Sequence, residues 1–475
     1  MQEDPPRTSA PAGGIFLRRD YLSAIENVAQ SIGTMGPVAT IGTILPLLMY
    51  KSGNATWLLL LCVLGAFTLI STSVNVFASR IVSAGSLSAF ARAGLGRWPG
   101  VLTGWSYVVA MAFVVTSSAV SCAYYVSMVA AHFSRAQIGS LGMVAITVLV
   151  VLAAWWPAHR DIKLSTKVML GAESFSVLLI VVILGAAMLK GHQWVDRPQL
   201  RLEGASFSQF RLGLVLAFMT LAGFESATAL GEEAKKATRT LPRVLLLCVL
   251  PTGALFIACV YCLTSLSHGR NLALDQTNAP LDMIAQSLGL PSLGWMSSLG
   301  IAISCFGCAL GGFNAGSRVI FSMARERNLW RYFEAVHPVN GTPHRALALF
   351  AAVAIVVPCA MILDGATMTD SMDYLMQIAS FGFLGGYLAV CLAAPFYLAR
   401  SASLSLPRLA TAVATVSLLG LVFFMTLVPA PDPPWRYLPY IFAGLLAAGM
   451  AITACMGSAR TEENPGAADV RSLPL

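Results

Sequence analysis

The sequence predicts an all-α integral membrane protein with twelve transmembrane helices, and three observations carry that prediction. The 475 residues are 57% hydrophobic and 11% charged, with a mean hydropathy of +0.73. Soluble domains carry about 25% charged residues, so a chain this poor in charge must face lipid over most of its area. Apolar stretches of about 20 residues, enough to cross a ~30 Å hydrocarbon core, recur twelve times. Basic residues gather on alternate connecting segments.

In order, the spans are Ser31–Tyr50, Trp57–Val82, Val101–Phe133, Ile138–Trp156, Ser165–Leu189, Phe210–Leu230, Val244–Leu266, Leu293–Met323, Ala346–Leu363, Tyr374–Leu398, Ala410–Val428 and Tyr437–Cys455. An even number puts both ends of the chain on one side. Of the 30 Lys and Arg, 22 then fall on the side of the termini and 8 on the other, which the positive-inside rule reads as cytoplasmic termini. The same bias explains the net charge of +8, which in a soluble protein would point to nucleic acid; no nucleic-acid partner is expected. Met1–Gly14 is polar and proline-rich and lacks the basic-then-apolar order of a cleaved signal, so insertion is expected to begin with a retained span.

The third span covers about 33 residues, ~50 Å of helix, and the eighth is nearly as long, so both must tilt or protrude. Each is third in a set of five. The first and sixth spans are also alike. One reads Ile32-Gly-Thr34-Met35-Gly36-Pro37-Val38, the other Phe218-Met219-Thr220-Leu221-Ala-Gly223-Phe-Glu225. Glycine weakens a helix, and proline removes a donor and clashes with the preceding turn. Such residues often mean only kinks or close packing in membrane helices. Paired interruptions at matching places in two halves point instead to a transporter site. Five spans separate the two starts, so the second set is inverted relative to the first. The expected organisation is an N-terminal tail (1–24), a five-helix repeat (25–190), an inverted repeat (208–399), two additional helices (400–456) and a C-terminal tail (457–475), with both tails cytoplasmic.

Unwinding a helix inside the bilayer frees backbone groups that lipid leaves unsatisfied. A half-helix starting midway presents N–H groups and a positive dipole end, which suit a carboxylate. A half-helix ending midway presents carbonyls, which suit an ammonium or another cation. Two facing breaks match a zwitterion, so an α-amino acid is the natural substrate.

At these residues the chain resembles the amino acid–polyamine–organocation superfamily of permeases, over roughly residues 25–398. The sixth span and its loop read Gly223-Phe224-Glu225, then Gly231-Glu232-Glu233-Ala-Lys235, then Arg239-Thr-Leu-Pro242-Arg243. The loop before the third span carries Ala84-Gly85-Ser86, Gly94, Gly96, Gly100 and Gly104-Trp105. After the eighth span come Asn314-Ala-Gly-Ser317-Arg318, Met323-Ala-Arg325, Val336-His337-Pro338 and Thr342-Pro343-His344. The resemblance implies a 5+5 inverted-repeat core with discontinuous first and sixth helices, two extra helices and alternating access. It also implies movement of amino acids or related amines, coupled to protons or run as exchange. Substrate contacts would come from Thr34, Met35, Gly36, Pro37, Val38, Phe218, Met219, Thr220, Leu221 and Gly223. The chain departs from the common pattern at Pro37 and Val38, where members often carry a small residue and glycine. It departs again at Met219 and Leu221, where an aromatic lid is usual, which leaves either Phe218 as the gate or a looser gate. Some proton-coupled members have a lysine in the fifth span; Ser176 stands near that place here, so the coupling ion stays open.

Carboxylates inside a membrane are costly and usually functional or paired. Glu225, just past the sixth-span break, reads either as a coupling proton site or as a structural bond between half-helices. Glu173 reads as buried against a neighbouring helix. Ser304 reads as bonded to its own helix backbone, with a cation or substrate ligand as the alternative. With so little acid in the spans, neutral amino acids are the favoured substrates. A non-transporting sensor with the same fold is the competing function.

Enzymatic readings find little support. The six histidines fall at span ends or in loops, and the sequence has no His-Glu-x-x-His, no Gly-Lys-Ser/Thr phosphate loop and no Ser–His–Asp set within a span. All ten cysteines fall in apolar stretches, where packing is the expected role, and Cys305 with Cys308 makes too small a ligand set for a metal. No cofactor or metal is expected; the expected partners are the lipid bilayer, an amino acid or amine, and protons as coupling ion.

Overall fold

Every long apolar segment folds as helix, which closes each backbone N–H onto a carbonyl of its own segment, as a lipid environment requires. The computed structural model describes residues 17–134, 138–191, 194–270, 272–277, 279–428 and 433–463. Most of the two expected tails lies outside the described residues. Eleven helical stretches are long and apolar enough to cross a membrane, and no β-strand occurs among the described residues.

The helices are α1 (Ala24–Met35), α2 (Pro37–Ser52), α3 (Thr56–Ala78), α4 (Leu87–Leu95), α5 (Arg97–Phe133), α6 (Ser140–Arg160), α7 (Ile162–Gly191) and α8 (Arg197–Leu200). After them come α9 (Phe207–Phe218), α10 (Ala237–Arg270), α11 (Pro280–Ser287), α12 (Pro291–Arg325), α13 (His344–Leu363), α14 (Met368–Arg400), α15 (Leu406–Leu427) and α16 (Leu438–Glu463). The first two expected spans form one stretch, Ala24–Ala78, interrupted only near Gly36 and Gly53. Helix α1 begins seven residues before the expected Ser31. Ser23 caps it, its N–H bonding Glu26 Oε2 at 2.6 Å, and its polar residues Asn27 and Gln30 are fully buried. A hydropathy reading rejects such residues, whereas tertiary hydrogen bonds accept them.

Helices α5 and α12 form the centre, α5 being buried almost throughout, while α15 and α16 stay largely exposed at the periphery. Small residues let the central backbones touch. Ser106 of α5 donates to the Gly382 carbonyl of α14 at 2.9 Å, and a Cβ on Gly382 would sit 2.6 Å from the Ser106 carbonyl oxygen. Gly382→Val is therefore expected to cost about 1–3 kcal/mol through overpacking. It should lower the heat-inactivation temperature, whereas Gly420→Ala on α15, with open space around it, should not.

At the end of the bundle where α1 begins, the segment after the sixth-span break is clamped in place. Tyr21 and Leu22 N–H both bond the Glu233 carbonyl at 2.8 Å, and Lys235 N–H bonds Leu22 O at 2.8 Å. Fully buried Arg318 grips both oxygens of the Glu233 carboxylate and donates to Asn314 O at 2.9 Å. Arg325 pairs with Glu232, which also accepts from Ala84 N–H at 3.1 Å. Burial works to raise the Glu232 carboxyl, yet its Arg325 bonds hold it below the ordinary range. The Glu-Glu segment and the Ser317-Arg318…Arg325 segment, separate in the sequence, are thus two halves of one clamp.

Candidate functional site

Two helices break at glycines that face the same core. Helix α1 stops at Met35; Gly36 takes φ +53°, ψ +66°, and α2 starts at Pro37. Such a left-handed residue is disfavoured for any side chain but glycine, and proline at the first helical position loses only an N–H that would have no partner in its own helix. Helix α9 stops at Phe218, a short 3-10 turn covers Met219–Leu221, Gly223 takes φ +94°, and a second 3-10 segment runs from Phe224 to Leu230.

The two breaks touch. A Cβ on Gly223 would lie 3.0 Å from Thr34 Cγ2. Ser226 Oγ donates to Thr34 Oγ1 at 2.9 Å, and Thr34 in turn donates to the Gln30 carbonyl at 2.7 Å. Ala227 N–H reaches Ser31 Oγ at 3.3 Å. Gln30 Nε2 bonds Gly311 O at 2.9 Å, and Asn314 Nδ2 bonds both Gln30 Oε1 at 3.0 Å and Ser165 Oγ at 2.7 Å. One buried polar network therefore ties α1, α7, α12 and the segment after Gly223 together.

The expected site residues divide into groups. Thr34 and Gly223 are in contact. Met35, Gly36, Pro37 and Val38 are buried at the α1–α2 junction. A Cβ on Gly36 would lie 3.3 Å from Cys308 Cβ, and the Cys308 thiol donates to Thr34 O at 3.0 Å. Phe218 is buried against Phe67 at a ring separation of 4.8 Å, Leu221 is buried, and the Thr220 hydroxyl bonds Ala217 O at 2.7 Å. Met219 is only partly buried and lines a separate cavity. Ser176 donates to Gly300 O at 2.9 Å and so joins α7 to α12.

Ser304 and Glu173 meet each other beside the first break. Ala39 N–H, in the first turn of α2, donates to Ser304 Oγ at 3.0 Å, and Ser304 donates to Glu173 Oε1 at 2.7 Å. Ser304 thus bridges a carboxylate to the positive end of α2, and its one O–H goes to Glu173 in place of the expected bond to its own helix backbone. The other Glu173 oxygen, Oε2, is buried and has no hydrogen-bond partner among the described residues. The α2 end expected to meet a substrate carboxylate has its Ala39 donor occupied by the protein itself.

Glu225 is fully buried, and its partner is a neutral phenol: the Tyr387 hydroxyl of α14 donates to Glu225 Oε2 and accepts from Gly223 N–H at 3.0 Å. Its other oxygen, Oε1, is unpartnered among the described residues. Tyr387 thus touches the second break and its carboxylate together. Sequence reading did not single out Tyr387, Gln30 or Ser226 for the site: Tyr387 lies in an apolar run, and Gln30 and Ser226 are polar residues whose partners no spacing marks; Asn314 had a motif as its signal.

Beside the breaks lies a small, partly open cavity between α2, α5, α9 and α14, with Met219 in its wall. An adjoining, roomier one shares Thr43, Leu47, Met372 and Asp373 with it. The cavities open towards the end where α2 finishes, opposite the clamp.

A multi-pass helical fold with two helices broken at glycines, the second of them against Thr34 beside the first, is the arrangement of a membrane transport protein. The chain belongs to the amino acid permease family, whose model matches residues 27–444. It is 25% identical to an uncharacterised transporter of Mycobacterium tuberculosis over 76% of this chain and 79% of that one. It is 22% identical to a branched-chain amino acid permease of Bacillus subtilis over 78% and 80% of the two chains. It is 23% identical to the human cationic amino acid transporter 4 over 66% of this chain and 49% of that one.

Proposed function

We propose that the protein is a secondary transporter that carries amino acids or related amines across the cell membrane by alternating access, coupled to protons or as an exchanger. The observation that carries this reading is the contact between the Gly36 and Gly223 breaks, each flanked by short polar side chains. The core is a 5+5 inverted repeat, 25–190 and 208–399, followed by two further helices in 400–456. That makes twelve crossings, with Ala24–Ala78 counted as two. Both termini are cytoplasmic. The clamped end is then the inner one and is closed, and the cavities face outwards. Substrate binds at Thr34–Val38 and Phe218–Gly223, with Phe218 as the gate. The names of the relatives differ, branched-chain in one and cationic in another, so they support an amino acid without selecting its side chain.

The test is reconstitution in liposomes with a panel of radiolabelled amino acids, with and without an imposed proton gradient. Saturable uptake or counterflow is the expected result; ligand binding with neither would make the protein a sensor. In the same assay Glu225→Gln is expected to remove most of the pH dependence of uptake, because a neutral amide keeps the Tyr387 bond yet takes up no proton. An unchanged pH profile would make Glu225 a structural residue.

A further inference from the structure

The two joined cavities carry a chemistry that the break residues lack. Among the described residues, the charged side chains in their walls are Asp373 and Asp275, with no Lys or Arg beside them. The Asp373 carboxylate stands in the wall of both and has no hydrogen bond or ion pair to any described residue. A carboxylate facing a partly enclosed space attracts a cation more strongly than one in open water.

The hydroxyls of this wall point to the same ligand. Thr43 donates its proton to Ala39 O at 2.8 Å, Ser117 to Met372 O at 2.7 Å and Ser121 to Ser117 O at 2.9 Å. With those hydrogens committed, the three oxygens offer only lone pairs to the cavity. A wall weighted towards acceptors and acids suits a group that is all donor, and an ammonium carries three N–H bonds and no acceptor. Apart from the Gln377 amide, the rest of the first cavity's wall is largely apolar, with Leu47, Met219, Met376 and Trp435 among its side chains, and the Trp435 ring is held edge-on by Tyr374 at 5.1 Å; the second cavity adds Tyr50 and Thr277. Such a wall accommodates a short hydrocarbon body, and tryptophan is the ring that best attracts a cation.

We propose that this cavity is a second binding site, separate from the helix breaks, that takes the ammonium group of an amine-bearing substrate with Asp373 as its counter-charge. As a staging site for substrate, it rests on the transport reading above. Met219, shared by the cavity wall and the 3-10 turn of the second break, is where the two sites adjoin.

The experiment uses the full-length purified protein and two isosteric probes, n-butylamine and butyrate, with binding followed by calorimetry. Butylamine binds and butyrate does not. Asp373→Asn weakens butylamine by about tenfold or more, the scale of a hydrogen bond to a charged group, and Asp373→Glu restores most of it. Equal binding of butylamine to wild type and Asp373→Asn, or butyrate binding as well as butylamine, overturns the proposal. A second measurement leaves Asp373 intact. Ser121→Cys is labelled with cationic and anionic methanethiosulfonates, read as mass added beyond that on the wild-type chain. The cationic reagent reacts at least about tenfold faster, in keeping with field focusing in an acidic cleft, and butylamine protects. Equal rates overturn the proposal. Amino acid uptake in liposomes without butylamine binding would remove this site and leave the transporter; butylamine binding without any uptake would do the reverse.

Discussion

Gly223→Leu is expected to abolish substrate binding in a protein that still inserts and elutes as a single species. Gly223 holds φ +94°, where a side chain costs about 1–2 kcal/mol in backbone strain alone. Its Cβ would also meet Thr34 Cγ2 at 3.0 Å, and leucine must place three further carbons beyond it. The strain has a specific outlet. Gly223 N–H is held by Tyr387, which also holds Glu225, so pushing the break away from Thr34 misaligns the gate, the carboxylate and the polar network together. Binding is measured by thermal shift with the substrate found in the uptake panel. Wild-type affinity in the variant would remove the second break from the site. Gly36→Leu, at φ +53° and against Cys308, is a parallel test on the other helix.

The second large effect is expected at the buried Arg318–Glu233 pair. Removing one partner of a buried ion pair strands the other charge, at a cost of about 3–5 kcal/mol. Arg318→Met should therefore lower the heat-inactivation temperature by several degrees and reduce the amount of protein recovered. Arg318→Met combined with Glu233→Leu leaves no stranded charge and should regain most of the loss, because Glu233 is clamped to Tyr21 and Leu22 through its backbone carbonyl, which the substitution keeps. A double variant no better than the single one would show that shape, and not the unpaired charge, dominates. The neighbouring Glu232–Arg325 pair is more exposed and is expected to matter less. The Glu232 carboxyl is held below its ordinary value, so its contribution is full above that value and fades as pH falls through the lowered one.

Most spans were legible because membrane helices are marked by local composition. The errors fall where polar residues occupy a helix. The expected tenth span begins at Tyr374, which puts Asp373 just outside it. In the structure α14 begins at Met368, with Thr367 accepting Asp370 N–H at 3.0 Å, so Asp373 lies within the helix and faces a cavity. The expected preference for neutral substrates follows from the scarcity of acids inside the spans, to which Asp373 is an addition. The true start of the first helix is hidden in the same way, since Glu26, Asn27 and Gln30 lower hydropathy while serving a cap and a buried network.

Gly36 and Gly223 are readable because glycine adopts the left-handed backbone of each without the strain a side chain brings, so a local rule marks them. Their surroundings are not. Tyr387 meets Glu225 across 162 residues, Asn314 meets Gln30 across 284, and Ser304 meets Glu173 across 131. No periodicity records such pairs, because a hydrogen bond depends on where two helices cross and each helix is apolar whether or not they do. By itself the sequence determined that this chain is a bundle of membrane helices with two breakable points, for hydropathy and backbone sterics act within a few residues. Only the tertiary structure decided that the breaks touch, that hydroxyls of Ser304 and Tyr387, each backed by a carboxylate, take up N–H donors there, and that an acidic cavity lies alongside, for those depend on which helix faces lie against one another.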